Sequence, residues 1–112
     1  MLKCASFFAG VGGIDLGFEQ AGFEVVYANE FCEKASLTYK ENHMIPLDVR
    51  DIRKVHSDQI PDFDIMLAGF PCQAFSVAGY RQGFDDDKGR GNLYFELERI
   101  IKDKMPPIVF LE

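Results

Sequence analysis

The chain of 112 residues lacks several features that would point to particular classes of protein. It has no tryptophan and only three cysteines, which stand far apart without a Cys-x-x-Cys pair. An odd number of widely spaced cysteines implies neither a disulfide framework nor a zinc site, so we expect no metal and a reducing compartment. No apolar run approaches the roughly 18 residues of a membrane-spanning helix, so we expect a cytoplasmic protein without membrane contact.

The chain also lacks an excess of positive charge. Twelve Lys and Arg face eighteen Asp and Glu, which gives a formal net charge of −6. Because phosphate binding needs clustered Lys and Arg, this balance argues against a free-standing cationic nucleic-acid binder. It remains compatible with a DNA enzyme whose basic surface lies outside these residues.

What the chain does contain is an alternation of strand and helix signals. Its apolar content of 47% is sufficient for one core. Apolar runs bounded by turn residues predict five strands, at 2–8, 23–28, 44–49, 64–68 and 108–111. Amphipathic stretches predict three helices, at 14–21, 32–42 and 93–102, and residues 70–91 read as irregular. This order predicts an α/β fold with a mostly parallel sheet and helices on both faces.

The last predicted strand, 108–111, has the apolar composition of a buried strand, yet the chain ends one residue later. A bare apolar strand edge is an aggregation hazard. We therefore expect residues 1–112 to be the N-terminal part of one domain that is incomplete at its C-terminus. They would belong to a longer protein or form one chain of a split one.

A glycine-rich turn at 8–13 separates the first strand from the first helix. Such a turn lets the backbone approach a ligand closely, although a tight turn without a ligand is the simpler interpretation. The dinucleotide pattern that starts at Gly10 needs a glycine where Asp15 stands, so a nicotinamide site is disfavoured. Glu30, twenty residues after Gly10, is placed to hold ribose hydroxyls. An adenosine ligand without a pyrophosphate fits best, and S-adenosylmethionine is the obvious candidate.

Other side chains with possible chemistry follow the later predicted strands. Asp48 could reach an adenine amino group, or it could be a helix cap or a surface carboxylate. Cys72 follows the fourth strand and Pro71 fixes the backbone before it, as a nucleophile requires, although a buried cysteine is the simpler alternative. Glu112 ends the fifth strand, the predicted neighbour of the fourth, where a carboxyl group can supply a proton.

Two further features of the sequence are its histidines and a glycine-rich segment. The two histidines of the chain, His43 and His56, are expected at the surface. Residues 79–91 contain four glycines interleaved with arginine and lysine. That composition is typical of a segment that closes over an anionic polymer, or of an ordinary solvated loop.

The sequence resembles the DNA (cytosine-5)-methyltransferases over essentially its whole length. Six segments in the family's order carry the resemblance, since one alone would be a weak signal. They are FAGVGG at 8–13, NE at 29–30, Asp48, GFPCQAFS at 69–76, GRGNLY at 89–94 and FLE at 110–112.

The resemblance implies a bacterial, cytoplasmic and nucleoid-associated enzyme that serves a restriction–modification system on double-stranded DNA. It would transfer a methyl group from S-adenosylmethionine to C5 of a flipped cytosine and release S-adenosylhomocysteine. Cys72 is expected to add to C6 and Glu112 to hold and protonate N3. The implied cofactor contacts are Phe8, Ala9, Gly10, Gly12, Gly13, Glu30, Phe31, Asp48, Val49 and Pro71. The implied DNA contacts are Gln73, Ser76, Arg81, Gln82 and Arg90.

The family's target-recognition region and its last motifs are missing from the sequence. We therefore expect the chain alone to bind cofactor poorly and to be inactive without the remainder of the polypeptide or a complementary subunit. A tRNA cytosine-5 methyltransferase and a non-catalytic split subunit are the alternatives.

Overall fold

A parallel sheet forms the centre of the computed structural model, which describes residues 1–69 and 93–112. Within these residues the strands are β1 (Lys3–Phe7), β2 (Glu24–Asn29), β3 (Leu47–Asp48), β4 (Ile65–Ala68) and β5 (Ile108–Leu111). The helices are α1 (Gly13–Gln20), α2 (Glu33–Asn42) and α3 (Leu93–Lys104). The predicted α/β fold is thus confirmed, and the segment predicted as irregular, 70–91, lies outside the described residues.

The strand order is β3-β2-β1-β4-β5, and every pairing is parallel. All strands therefore end at one edge of the sheet. The order reverses between β1 and β4, since the chain builds outward to β3 before it returns beside β1. In open α/β sheets, ligands bind outside the carboxyl ends of the strands at such a reversal.

Side chains of the sheet alternate between two apolar layers, as the pleat requires. On one face, Phe7, Met66 and their neighbours pack with Leu97 and Ile100 of α3. On the other face, a smaller group of core residues packs with Phe18 of α1. Helices therefore cover both faces, which keeps the strand ends in fixed positions for a site.

Two strands differ from their predictions. β3 has only two residues instead of the predicted six, because Pro46 has no N–H to donate to a ladder and Met44 projects fully into solvent. β5 has the composition of a buried strand, but its four residues are exposed. Among the described residues, β5 pairs only with β4 and stands at the edge of the sheet.

The helices within residues 1–69 and 93–112 are too short or too polar for any of them to cross a membrane.

Candidate functional site

The glycine loop leaves β1 through three residues with left-handed backbone angles. Phe8, Gly10 and Gly12 have φ values of 52°, 60° and 92°. The loop is joined to the end of β2 by the Ala9 N–H, which donates to the Asn29 carbonyl over 3.1 Å. Glycine adopts such angles without the steric cost that a side chain brings. The loop therefore turns tightly and delivers the chain to the N-terminus of α1 at Gly13.

Glu30 ties this loop to the start of α2. One carboxylate oxygen accepts the Gly10 N–H over 2.8 Å, and the other accepts the Cys32 N–H over 2.8 Å. In a phosphate-binding loop, backbone N–H groups of this kind face the anion. Here the Gly10 N–H is already bound to a carboxylate, so the geometry disfavours a pyrophosphate.

A cleft of about 290 Å³ opens beside the loop, at the lower end of the range for small-molecule sites. It brings together three of the predicted cofactor residues, Phe8, Glu30 and Phe31. Its walls are mostly apolar and surround the single glutamate. The described residues that line it are Phe8, Asn29, Glu30, Phe31, Cys32, Asp51, Ile52, Arg53 and Leu93.

Asp48 and Val49 do not line this cleft. The Arg50 side chain donates to both oxygens of Asp48, over 2.9 and 2.7 Å. The Arg50 backbone N–H also donates to the first oxygen over 3.2 Å, and the Tyr27 hydroxyl donates to the second over 2.7 Å. The hydrogen bond from Arg50 lowers the pKa of Asp48 below its ordinary value, against the opposing effect of burial. Since a carboxylate has about four acceptor positions, contact with an adenine amine would require Arg50 to move.

Asp51 and Ile52 take the place in the cleft that was predicted for Asp48 and Val49. Asp51 accepts the Arg53 N–H over 2.9 Å and so caps a short 3-10 turn, Ile52–Lys54. The hydrogen bond from the Arg53 side chain lowers the pKa of Asp51. The signal in the sequence was a second aspartate three residues after the first, but only the path of the chain shows which one faces the cleft.

The ends of β4 and β5 lie side by side, as predicted. The Glu112 N–H donates to the Ala68 carbonyl over 3.0 Å, so the backbone of Glu112 adjoins the end of β4. Gly69, the next residue, packs so close to the loop that an added Cβ would lie 3.2 Å from the Phe8 carbonyl oxygen. Seven predicted site residues lie outside the described residues: Pro71, Cys72, Gln73, Ser76, Arg81, Gln82 and Arg90.

Sequence reasoning missed a buried polar cluster behind the glycine loop. Asp15 is fully buried, and its two oxygens accept hydrogen bonds of 2.6 Å from the Ser6 and Tyr39 hydroxyls. Burial, together with the hydrogen bond to Asp15, raises the pKa of Tyr39 above its ordinary value. The hydroxyl of Tyr39 therefore stays protonated and remains a donor to Asp15 at physiological pH.

His43 belongs to the same region, and the expectation that it lies at the surface is wrong. Its side chain is only 4% exposed, because the ring stacks on Tyr39 with centroids 4.3 Å apart. Nε2 lies 3.2 Å from the Val11 carbonyl oxygen, which belongs to the glycine loop. His56, the other histidine, is exposed as expected.

Comparison with known proteins shows which family the chain belongs to. The profile of the C-5 cytosine-specific DNA methylases matches residues 2–112. The Type II methyltransferase M.Bsp6I of Bacillus sp. (strain RFL6) is 56% identical over 113 residues, which cover 100% of this chain and 36% of that protein. M.HhaI of Haemophilus parahaemolyticus is 44% identical over 111 residues, covering 99% of this chain and 33% of that protein.

A solved structure agrees with these relatives. An Escherichia coli prophage protein assigned to the DNA modification methyltransferases superimposes with a TM-score of 0.77 at 29% identity, covering 95% of this chain and 30% of that one. The chain spans about a third of the length of the curated relatives that it matches. The predicted resemblance is confirmed, and the chain belongs to the C-5 cytosine-specific DNA methylase family.

Proposed function

We propose that this chain forms the cofactor-binding part of a DNA cytosine-5 methyltransferase that uses S-adenosylmethionine and protects DNA in a restriction–modification system. The Type II methyltransferases among its relatives support this function. The observation that carries it is the position of Glu30, whose carboxylate holds the Gly10 N–H at the side of a largely apolar cleft.

The residues of the cleft fit an adenosyl group. Phe8, Phe31 and Ile52 offer apolar surfaces that suit a purine ring. Each oxygen of Glu30 accepts one backbone N–H and keeps acceptor capacity for a ribose hydroxyl. When bound, the cofactor would supply an electrophilic methyl group. Of the other predicted loop contacts, Ala9 and Gly10 would border the same ligand through their backbone, whereas Gly12 and Gly13 line a separate hollow beside His43.

We infer that Asp51 and Ile52, rather than Asp48 and Val49, meet the adenine. The Asp48 carboxylate is filled by protein donors, whereas Asp51 lines the cleft. Asp51 is itself paired with Arg53 over 2.7 Å, but the Arg53 side chain is 58% exposed and has room to turn away. Asp48 then supports the chain at the end of β3 instead of touching the ligand.

For the chemistry we propose the covalent route that the resemblance implies. The Cys72 thiolate forms a bond to C6 of the cytosine while Glu112 donates a proton to N3, which leaves C5 nucleophilic. C5 would then take the methyl group as its bond to the cofactor's sulfur breaks, with the electron pair left on that sulfur. A base would remove the C5 proton, the bond between C6 and Cys72 would break to restore the thiolate, and the N3 proton would return to the Glu112 carboxylate. Pro71 would hold the nucleophile, and Gln73, Ser76, Arg81, Gln82 and Arg90 would contact DNA.

A covalent trap tests this proposal. The complete protein and the 112-residue chain are each incubated with S-adenosylmethionine and duplex DNA that contains 5-fluorocytosine in many sequence contexts. The fluorine blocks the loss of the C5 substituent, so a protein–DNA adduct that survives denaturation should accumulate. We expect an adduct only with the complete protein and not with the 112-residue chain, because the chain spans only about a third of the length of its relatives.

Two variants and a second substrate test which residue forms the adduct and on which nucleic acid. Cys72→Ser should abolish the adduct while cofactor binding survives. Cys4→Ala should keep it, because Cys4 is fully buried in the sheet. An adduct that persists in Cys72→Ser would contradict the assignment of the nucleophile. An adduct that forms on tRNA containing 5-fluorocytosine, and not on DNA, would show that the substrate is tRNA instead of DNA.

A further inference from the structure

The buried cluster behind the glycine loop has no part in the chemistry proposed above. It joins three elements, since Ser6 lies on β1, Asp15 on α1 and Tyr39 on α2. A buried carboxyl group costs free energy unless it is hydrogen-bonded, and apolar residues at these positions would avoid that cost. Packing alone therefore does not explain why the fold keeps Asp15 here.

The cluster contacts the glycine loop from behind. Asp15 lies in the first turn of α1, directly after the N-cap Gly12, so anchoring its carboxyl group fixes where the helix begins. A Cβ at Gly12 would lie 2.2 Å from His43 Nε2 and 2.8 Å from Tyr39 Cε2. The loop thus rests directly on the stacked rings of Tyr39 and His43.

The cluster stays outside the cleft. None of Ser6, Asp15 and Tyr39 is among the described residues that line it, whereas Phe8 and Glu30 at the other side of the loop are. The Gly10 N–H reaches Glu30 over 2.8 Å only while the loop keeps its present path. A group that fixes the loop from behind therefore acts on the cleft without touching its ligand.

We propose that Ser6, Asp15 and Tyr39 are positioning residues that hold the glycine loop in the conformation required to bind the cofactor. This inference rests on the proposed function, because it takes S-adenosylmethionine as the ligand beside the loop. The two hydroxyls fix the Asp15 carboxyl group, the carboxyl group fixes the first turn of α1, and that turn fixes the loop.

The test uses Ser6→Ala and Tyr39→Phe in the complete protein. Each variant removes one hydroxyl from Asp15, and Tyr39→Phe keeps the ring beneath Gly12. Ser57→Ala is the matched control, because it removes a hydroxyl–carboxylate bond of the same 2.6 Å length, to Asp103, away from the loop. Circular dichroism checks that each variant is folded at the temperature of measurement.

Two readouts separate positioning from stability. Calorimetry gives the Kd of S-adenosylhomocysteine, and hydrogen exchange measured by mass spectrometry follows the amides of 8–16. We expect the Kd to rise about tenfold in Ser6→Ala and Tyr39→Phe. Exchange in 8–16 should accelerate in both, while the Kd for DNA measured without cofactor and both readouts in Ser57→Ala stay at wild-type values.

The inference is overturned if both variants melt at lower temperature but keep the wild-type Kd and the wild-type exchange in 8–16. That result would mean that the cluster stabilises the fold and nothing more. If the wild-type protein binds neither S-adenosylmethionine nor its product, the proposed function fails instead. Exchange in 8–16 would then decide the positioning role by itself, since it needs no ligand.

Discussion

At the scale of single residues, the Glu30 carboxylate accepts hydrogen bonds from two different segments of the chain. It closes the glycine loop through Gly10 and begins α2 through Cys32, so the chain at the ends of β1 and β2 is held by one side chain. Hydrogen bonds between backbone N–H groups and a charged acceptor are among the stronger ones in proteins. Removing Glu30 should therefore loosen both segments as well as any ligand between them.

Glu30→Ala should weaken cofactor binding in the complete protein. Loss of charge-assisted hydrogen bonds costs about 1.5–3 kcal/mol, which corresponds to a rise in Kd of roughly ten- to a hundredfold. Calorimetry with S-adenosylmethionine measures the change. Glu24→Gln, at the exposed start of β2, the strand that ends just before Glu30, serves as the control and should bind normally. An unchanged Kd in Glu30→Ala would remove Glu30 from the cofactor site.

Gly12, the N-cap of α1, and Gly17, within α1, should respond in opposite ways to the same substitution. Gly12→Ala should lower the free energy of unfolding by more than about 1 kcal/mol, because φ is 92° and the new Cβ would meet His43. Gly17→Ala should raise it by about 0.5–1 kcal/mol, because Gly17 lies within the helix with open space around it. Urea unfolding of both variants checks this pair, and equal effects would contradict the geometry of the loop.

At the scale of elements, β3 is too short to hold its position by ladder hydrogen bonds. Side chains compensate, since Asn29 donates to the carbonyls of Asp48 and Arg50 over 3.0 and 2.8 Å. The Arg50 guanidinium and the Tyr27 hydroxyl then hold the Asp48 carboxylate. The segment that leads to Asp51 thus depends on polar contacts, which are sensitive to pH.

Asp48→Asn should destabilise the protein near neutral pH and lose its effect in acid. The pKa of Asp48 is lowered in the folded state, so its ionised form adds stability above the unfolded value of about 3.9. That contribution disappears as the pH falls through the lowered pKa. Urea unfolding of wild type and variant from about pH 7 to about pH 3 measures the difference. A difference that stays constant with pH would contradict this account.

Elements marked by long apolar runs could be predicted from the sequence. β1, β2, β4 and α3 begin or end within about two residues of their predicted bounds, since burial of continuous apolar stretches decides them. The glycine loop and Glu30 were predicted through turn chemistry and strand-end placement. Such signals are local, so a single sequence is enough to reveal them.

The residues that sequence reasoning did not place depend on contacts between distant parts of the chain. Asp15 was noted only for breaking a glycine pattern, because its partner Tyr39 lies 24 residues away. His43 was expected at the surface because nothing in its own sequence neighbourhood reveals the stacking on Tyr39. The choice between Asp48 and Asp51 depended on how the chain turns after β3. Long-range packing of this kind leaves no periodic signal in the sequence.

At the scale of the whole molecule, the cleft residues Phe8 and Glu30 lie at strand ends, as do Gly69 and Glu112, the proposed proton donor. Phe8 follows β1, Glu30 follows β2, Gly69 follows β4 and Glu112 follows β5. They share one edge because every strand of the described sheet is parallel. The outer strand β5 leaves its apolar residues, such as Phe110 at 43% exposure, open to solvent.

The 112-residue chain, produced by itself, should self-associate through β5. Val109→Lys should reduce the association, because a charge on an edge strand opposes edge-to-edge pairing. Leu37→Lys is the control, since Leu37 is also apolar and 60% exposed but lies on α2. Sedimentation velocity over a range of concentrations measures the effect. Equal association of the two variants would mean that β5 is not the contact.

The close approach of Gly69 to the Phe8 carbonyl packs the end of β4 against the glycine loop. Close-packed backbone yields little, so a ligand that displaces one side of this contact displaces the other. Energetic coupling between two ligands is reciprocal by thermodynamic necessity. We therefore expect cofactor and DNA to bind cooperatively in the complete protein. The factor by which DNA changes the cofactor's affinity must equal the factor by which the cofactor changes that of DNA.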